Sequence, residues 1–407
     1  HDKRMKKSRV CKFSETDNYS KKLSLKSIIN IGGGFMNLLI TYLKSIHDRR
    51  DSWKIRHTLV DIVLLIFFAR LSGAEYWEDI EDFGKCYEHN LRSVLSLENG
   101  IPSHDTMQRV FATLNPDVLI NMTKIWAGIL EEAHLDEGNF STFSKRLIAI
   151  DGKTMRGNAS AKQNPLHVVS AYATEAGICF GQVATKEKSN EITAIPELLD
   201  QLSLKNCMIT IDAMGTQKEI AKKIIEQGGD FCLAVKENQK GLLEDIADCF
   251  TYDQESVVDY YETTEKAHGQ IETRKYEVVH DTSWFRKDHP EWPHIQCLGK
   301  AICITDKDGQ VTQVERYFIL STKVLADELG SYVRGHWKIE SMHWLLDVVF
   351  REDANKTLNR QLAFNLNIID KFCLSVLKNL DVGKKMSLRR KKFHLSMVFD
   401  RYLKSLL

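Results

Sequence analysis

Two aspartates close apolar, strand-like runs, Arg146-Leu147-Ile148-Ala149-Ile150-Asp151-Gly152-Lys153 and Cys207-Met208-Ile209-Thr210-Ile211-Asp212-Ala213-Met214-Gly215, and Glu340 follows far downstream on a polar helix face. Carboxylates are the hard oxygen ligands that Mg²⁺ requires. Three of them can hold two divalent ions roughly 3.5–4 Å apart, an arrangement that activates an attacking oxygen and stabilises a leaving one in phosphoryl transfer. A lone strand-end aspartate is more often a turn residue or a helix cap. The neighbours favour the site: Gly152 permits close backbone approach, and Lys153 and Arg156 suit a phosphate beside the ions. Asp212 leads through small residues into a helix whose N-terminus favours anions. Lys236 and Asn238, just past Val235, stand on the same rim, as grips on a nucleic-acid backbone or as a plain polar exit from a strand.

Projected at about 100° per residue, Arg334 to Asp347 forms a helix on which His336, Trp337, His343, Trp344 and Asp347 lie within about 60° of Glu340. Met342, Leu345, Leu346 and Val349 fall on the far side, toward a core. Three arrangements fit this face. The tryptophans could be half-buried against a neighbouring segment with the histidines at the surface. His336, Glu340, His343 and Asp347 could bind zinc or iron. Glu340 could instead join Asp151 and Asp212 at a magnesium site, with the tryptophans stacking on bases and the histidines donating to phosphates. The third is preferred because the two aspartates need a third carboxylate.

Strand periodicity predicts Leu147–Ile150, His167–Ala173 and Ile178–Ala184, then a helix over Glu191–Leu202, a strand Met208–Ile211, a helix Gln217–Gln227 and a strand Phe231–Val235. That order is the one expected of a ribonuclease H-like mixed α/β sheet. Between about 239 and 316 the rhythm breaks into a β-rich insertion containing Arg274–Val279, Leu298–Ile304 and Val311–Ile319. Ahead of the sheet, residues 35–143 read as helices, with Pro102-Ser103-His104-Asp105-Thr106 supplying a cap. They fit a helix-turn-helix-like DNA reader or a plain bundle equally. Residues 1–34 read as a basic arm ending in a Gly32-Gly33-Gly34 hinge, 144–378 as the catalytic domain, and 379–407 as a basic C-terminal segment.

The 407 residues, 43% apolar and 27% charged, describe an ordinary globular protein with a net charge of +1. Its basic residues gather at both ends, including Lys384-Lys385 and Arg389-Arg390-Lys391-Lys392, as a polyanion-binding protein or one with solvated tails would have. Nine cysteines without a C-x-x-C pair argue for a reducing compartment. The longest apolar run, Leu59 to Ala69, is too short to span a bilayer, and no secretory segment is evident, so a cytoplasmic location without membrane attachment is expected.

Ala149-Ile150-Asp151-Gly152-Lys153, Ile211-Asp212-Ala213-Met214-Gly215, Val235-Lys236-Glu237-Asn238-Gln239 and the run from Arg334 to Asp353 resemble the ISAs1 group of bacterial insertion-sequence transposases, the H-repeat-associated type, related to the IS4 superfamily. Gly100 to Phe111 resembles the N-terminal domain of that group, and the likeness runs from about His47 onward. It implies a DDE transposase with Asp151, Asp212 and Glu340 as catalytic metal ligands for two Mg²⁺, replaceable by Mn²⁺. Double-stranded element ends and target DNA, a homodimer in a synaptic complex and a bacterial, nucleoid-associated location are implied with it. Lys153, Arg156, Lys236, Asn238, Arg334, His336, Trp337, His343 and Trp344 are the DNA-binding candidates. A catalytically silent, domesticated DNA-binding descendant is the alternative. The wider superfamily's Tyr-Arg-Glu-Lys signature would fall on Val333, His336, Glu340 and Asp347, of which only the glutamate agrees.

Overall fold

The computed structural model describes residues 25–136, 145–185, 191–267 and 269–406. Helices α1 (Leu25–Ser45), α2 (Leu59–Leu71), α3 (Trp77–Leu91), α4 (His104–Thr113) and α5 (Pro116–Asp136) precede the sheet. The Gly32–Gly34 run, expected as a hinge, lies within α1. The arm expected ahead of it falls for the most part outside the described residues. Thr58 and Ser103 cap α2 and α4 by accepting from the backbone N–H groups of Asp61 and Thr106, which satisfies donors that a helix start leaves unpaired. Every residue of α2 but Val60 is buried, so this helix is the centre of a layer and has no solvent face.

The strands β1 (Arg146–Met155), β2 (Leu166–Ala173), β3 (Ile178–Thr185), β4 (Cys207–Ile211) and β5 (Asp230–Val235) alternate after β3 with α6 (Glu191–Asp200) and α7 (Lys218–Glu226). A further helix, α8 (Lys240–Tyr252), leads to β6 (Val257–Ala267), β7 (Gln270–Val279), the short α9 (Ser283–Asp288), β8 (Cys297–Lys307) and β9 (Gln310–Leu320). One sheet holds all nine strands in the order β3-β2-β1-β4-β5-β9-β8-β7-β6. β1 pairs antiparallel with β2 and parallel with β4, and β4 is parallel to β5. The expected insertion is therefore a four-stranded antiparallel extension of the core sheet, joined where β9 pairs antiparallel with β5. Periodicity found three of its strands and missed β6, whose charged and aromatic residues hide the alternation.

Helix α10 (Ala326–Phe350) crosses the sheet, and α11 (Arg360–Asn379), α12 (Leu388–Met397) and α13 (Phe399–Leu406) follow. These last helices belong to the same core as the first ones. Phe372 of α11 stacks on Phe67 of α2 at 4.8 Å, and Phe399 packs on Phe68, Phe83 and Tyr87. Arg70 of α2 makes a two-pronged pair with Asp370 of α11 at 2.8 and 2.7 Å, and also donates to the carbonyls of Ala74 and Glu75. Packing thus runs straight across the expected limits at 143/144 and 378/379. The basic C-terminal run is divided by it. Lys391 and Lys392 are buried, donating to the carbonyls of Leu377, Leu380 and Val349, while Arg389 and Arg390 are exposed. Among the described residues no helix is long and apolar enough to cross a membrane.

Candidate carboxylate active site

Parallel pairing of β1 with β4 sets Ile150 opposite Ile211. The next residue along each chain segment, Asp151 and Asp212, therefore stands side by side, Asp212 just past the end of β4 but Asp151 inside β1, which runs on to Met155 and was expected to end at Ile150. Asp212 also caps the turn Ala213–Gly215, its Oδ1 accepting from the N–H groups of Met214 at 3.1 Å and Gly215 at 3.4 Å. The turn is held from outside by Asn238, whose Nδ2 donates to the Ala213 carbonyl at 2.7 Å. Glu340 comes from α10, which lies close on β1 because residue 335 is glycine. A Cβ there would collide with Leu147. Gly152 meets a similar constraint, since a Cβ would run into the buried His167 and Glu191, whose Nε2 and Oε1 are 2.6 Å apart.

Charge ties the three carboxylates together. Burial pushes the Asp212 carboxyl up, and the negative charge of Asp151 adds to it. Glu340 is raised for the same two reasons. For Asp151 too burial is the largest influence and acts upward, yet the carboxyl settles below the usual range because His343 bonds to it and His343 and His336 lie near. His343 Nδ1 is 3.4 Å from Asp151 Oδ2, and its buried Nε2 has no hydrogen-bond partner among the described residues. His336 Nδ1 lies 3.1 Å from Thr210 Oγ1, and burial lowers its pKa against the pull of Asp151 and Asp212. Mutually repelling hard-oxygen donors of this kind fit a divalent cation by chemistry. As placed, no three His, Cys, Asp or Glu side chains among the described residues close on a single ion. The zinc or iron arrangement is opposed more specifically: His336, His343 and Asp347 turn to Thr210, Asp151 and Lys153, respectively.

A cavity of about 180 Å³ opens beside the carboxylates, lined among others by Asp212, Glu340, Lys236, His336, Trp337 and Arg316. Three of the expected DNA-binding residues thus meet at one place. His343 and Asn238 stand beside the aspartates, at Asp151 and at the turn after Asp212, and the other four lie elsewhere. Lys153 is largely buried and its Nζ is held by Asp347 and Glu352, each at 2.8 Å, and by Asp353 at 3.2 Å. Arg334 pairs with Glu265 at 2.8 Å. Arg156 is exposed, and its backbone N–H donates to Asp353 Oδ1 at 3.2 Å. Trp344 is 62% exposed, whereas Trp337 is 43% exposed and has Arg316 of the insertion over its ring, so only Trp337 is half-buried against that segment. Arg316 is the cavity residue that sequence reasoning missed. It lies at the end of an exposed stretch of β9, where nothing local marks it.

The protein is thus a mixed α/β one whose central strands β1 and β4 carry Asp151 and Asp212 as neighbours, with Glu340 near enough for their charges to act on it. The chain belongs to the DDE transposase family: residues 142–376 match the transposase DDE domain, and 40–127 match the domain described as DDE_Tnp_1-associated. It is 38% identical over 379 residues to YhhI of Escherichia coli strain K12, an H repeat-associated protein named as a transposase, covering 91% of this chain and 97% of that one. YbfL of the same strain matches to the same extent, 38% over 379 residues, 91% and 97% of the two chains. A cryo-EM structure of a piggyBac transposase synaptic complex with hairpin DNA aligns over 93% of this chain and 78% of that one at 11% identity, with a TM-score of 0.37 that lends no weight to the argument.

Proposed function

We propose that this chain is a catalytically competent DNA transposase that binds the ends of its own element, hydrolyses a phosphodiester at each end and joins the freed 3′-hydroxyl to target DNA. The observation that carries this is the side-by-side placement of Asp151 and Asp212 by strand register, with Glu340 facing them from α10. The order β3-β2-β1-β4-β5 with antiparallel β1–β3 supports a ribonuclease H-like core. Asp151, Asp212 and Glu340 would hold two Mg²⁺, or Mn²⁺ in their place. Such ions activate a water or hydroxyl nucleophile and stabilise the leaving oxygen. The chain's own part is positioning: His343 orients Asp151, the Ala213–Gly215 turn orients Asp212, and Lys236 and His336 face the strand beside them. Two ends must be brought together, which calls for a homodimer in a synaptic complex.

Incubating purified protein with a labelled element end, a supercoiled target plasmid and Mg²⁺ tests the whole reading. Nicked ends and joined products are expected. Glu340→Gln should bind the end and cut nothing; full cleavage by that variant would sink the assignment. End binding without cutting by the wild type would mark the silent DNA-binding descendant instead.

A further inference from the structure

Three arginines gather where α10 meets the β6–β9 extension: Arg274 of β7, Arg316 of β9 and Arg334 of α10. Two are already engaged. Arg274 Nη1 and Arg334 Nη1 lie 2.9 and 2.8 Å from the oxygens of Glu265, and Arg274 pairs with Glu272 as well. Among the described residues Arg316 has no carboxylate at ion-pair distance. Its guanidinium instead lies 5.0 Å from the centre of the Trp337 ring. An arginine on an indole face is restrained in orientation while its N–H edge stays free for an acceptor.

Arg316 also lines the cavity of about 180 Å³ that Asp212 and Glu340 line. Lys236, exposed and likewise without an ion-pair partner among the described residues, stands on the same wall. One cavity therefore presents carboxylates together with two cations that have no ion-pair partner among the described residues, Arg316 near enough to Glu340 for its charge to act on that carboxylate. Carboxylates alone would repel a phosphodiester, and the cations supply the attraction that could hold one against them. A guanidinium fork suits this task because it can give two parallel hydrogen bonds to phosphate oxygens.

The geometry points to Arg316 as a phosphate-binding residue of the active site, its fork set by Trp337 and assisted by Lys236, gripping the backbone of the DNA strand that lies across the cavity. The inference rests on the transposase reading above and adds to it that the insertion, through β9, contributes a direct substrate contact.

Salt dependence tests it, because each phosphate contact adds about 0.9 to the slope of log affinity against log salt. The probe is a fluorescein-labelled duplex of the element's terminal sequence, titrated with Ca²⁺ in place of Mg²⁺ over a range of NaCl. Arg316→Ala is expected to lose about 0.9 of the slope and to nick more slowly in Mg²⁺. Arg274→Ala, already claimed by Glu265 and Glu272, should keep the wild-type slope. Arg316→Lys should keep the slope, since a point charge still displaces a counterion, yet nick slowly because the fork is gone. If circular dichroism shows Arg316→Ala unfolded, the lysine variant decides: slow nicking supports the inference and wild-type nicking overturns it. A folded Arg316→Ala with wild-type slope and nicking also overturns it. Wild-type protein that binds the duplex but never nicks would end the catalytic reading and leave the slopes to judge Arg316. Wild-type protein that fails to bind would end both.

Discussion

Lys153 Nζ lies 2.8 Å from Asp347 Oδ1, joining the strand that carries Asp151 to the helix that carries Glu340. The same ammonium is 2.8 Å from Glu352, whose side chain is 1% exposed and also accepts from Asn367. Surrounding carboxylates raise the lysine pKa despite its burial. Lys153 is thus a clasp between two walls of the site, and the aspartate at the position of the superfamily's signature lysine is the clasp's other half.

Lys153→Met should accordingly destabilise the protein by about 3 kcal/mol, because removing one partner strands a buried charge. Urea denaturation measures this. In a double-mutant cycle with Asp347→Asn the two losses should fall short of additive; strict additivity would show that the pair does not couple.

Gly335→Ala should displace α10 from β1, since the new methyl meets Leu147. A shift of about 1 Å in a catalytic group can cost about 10²-fold in rate, so nicking should fall by roughly that much while end binding persists. Pairing it with Leu147→Ala should recover part of the loss. No recovery would mean that the contact is not what sets the helix.

Asp212 and Glu340 are both raised in the folded protein. A carboxylate with a raised folded-state pKa is protonated more readily folded than unfolded, so its contribution to stability falls as pH rises from the ordinary range near about pH 4. Asp151, lowered, runs the other way and loses its contribution as pH falls. Metal-free Asp212→Asn and Glu340→Gln proteins should therefore melt higher than metal-free wild type at pH 7, with the difference vanishing in acid. Added Mg²⁺ should raise the melting temperature of wild type more than that of either variant. Equal melting of all three at pH 7 without metal would contradict the repulsion inferred between these carboxylates.

The Arg70–Asp370 pair is almost fully enclosed, its side chains 5% and 3% exposed. Asp370→Ala should cost about 3–5 kcal/mol, and because Phe67 and Phe68 of α2 still pack on Phe372 and Phe399, calorimetry should still show the first helices and the sheet melting in one transition. A separate early transition for the helices would show that they fold independently.

The strands and helices that position Asp151, Asp212 and Glu340 were legible in the sequence because periodicity is local: consecutive side chains report which face a segment buries. Val168, Val169 and Ala171 announce a strand without knowledge of what they touch. β6, whose run Asp259 to Lys266 mixes charge with aromatics, offered no such pattern. Charge pairing is another matter. Lys153 had the sequence context of a phosphate grip, and only the fold revealed that Asp347, 194 residues away, holds it.

By itself, then, the sequence determined the family and the succession of the central strands, and it singled out three carboxylates as candidates, since all of these are carried by short runs of neighbouring residues. The tertiary structure decided which cations are spent inside the protein and which remain for a substrate. Lys153 is held by carboxylates and Lys391 and Lys392 are buried against carbonyls, while Arg316 arrives near Glu340 on a strand that pairs with β5. A side chain's availability depends on every neighbour that packing brings to it, and those neighbours come from distant parts of the chain.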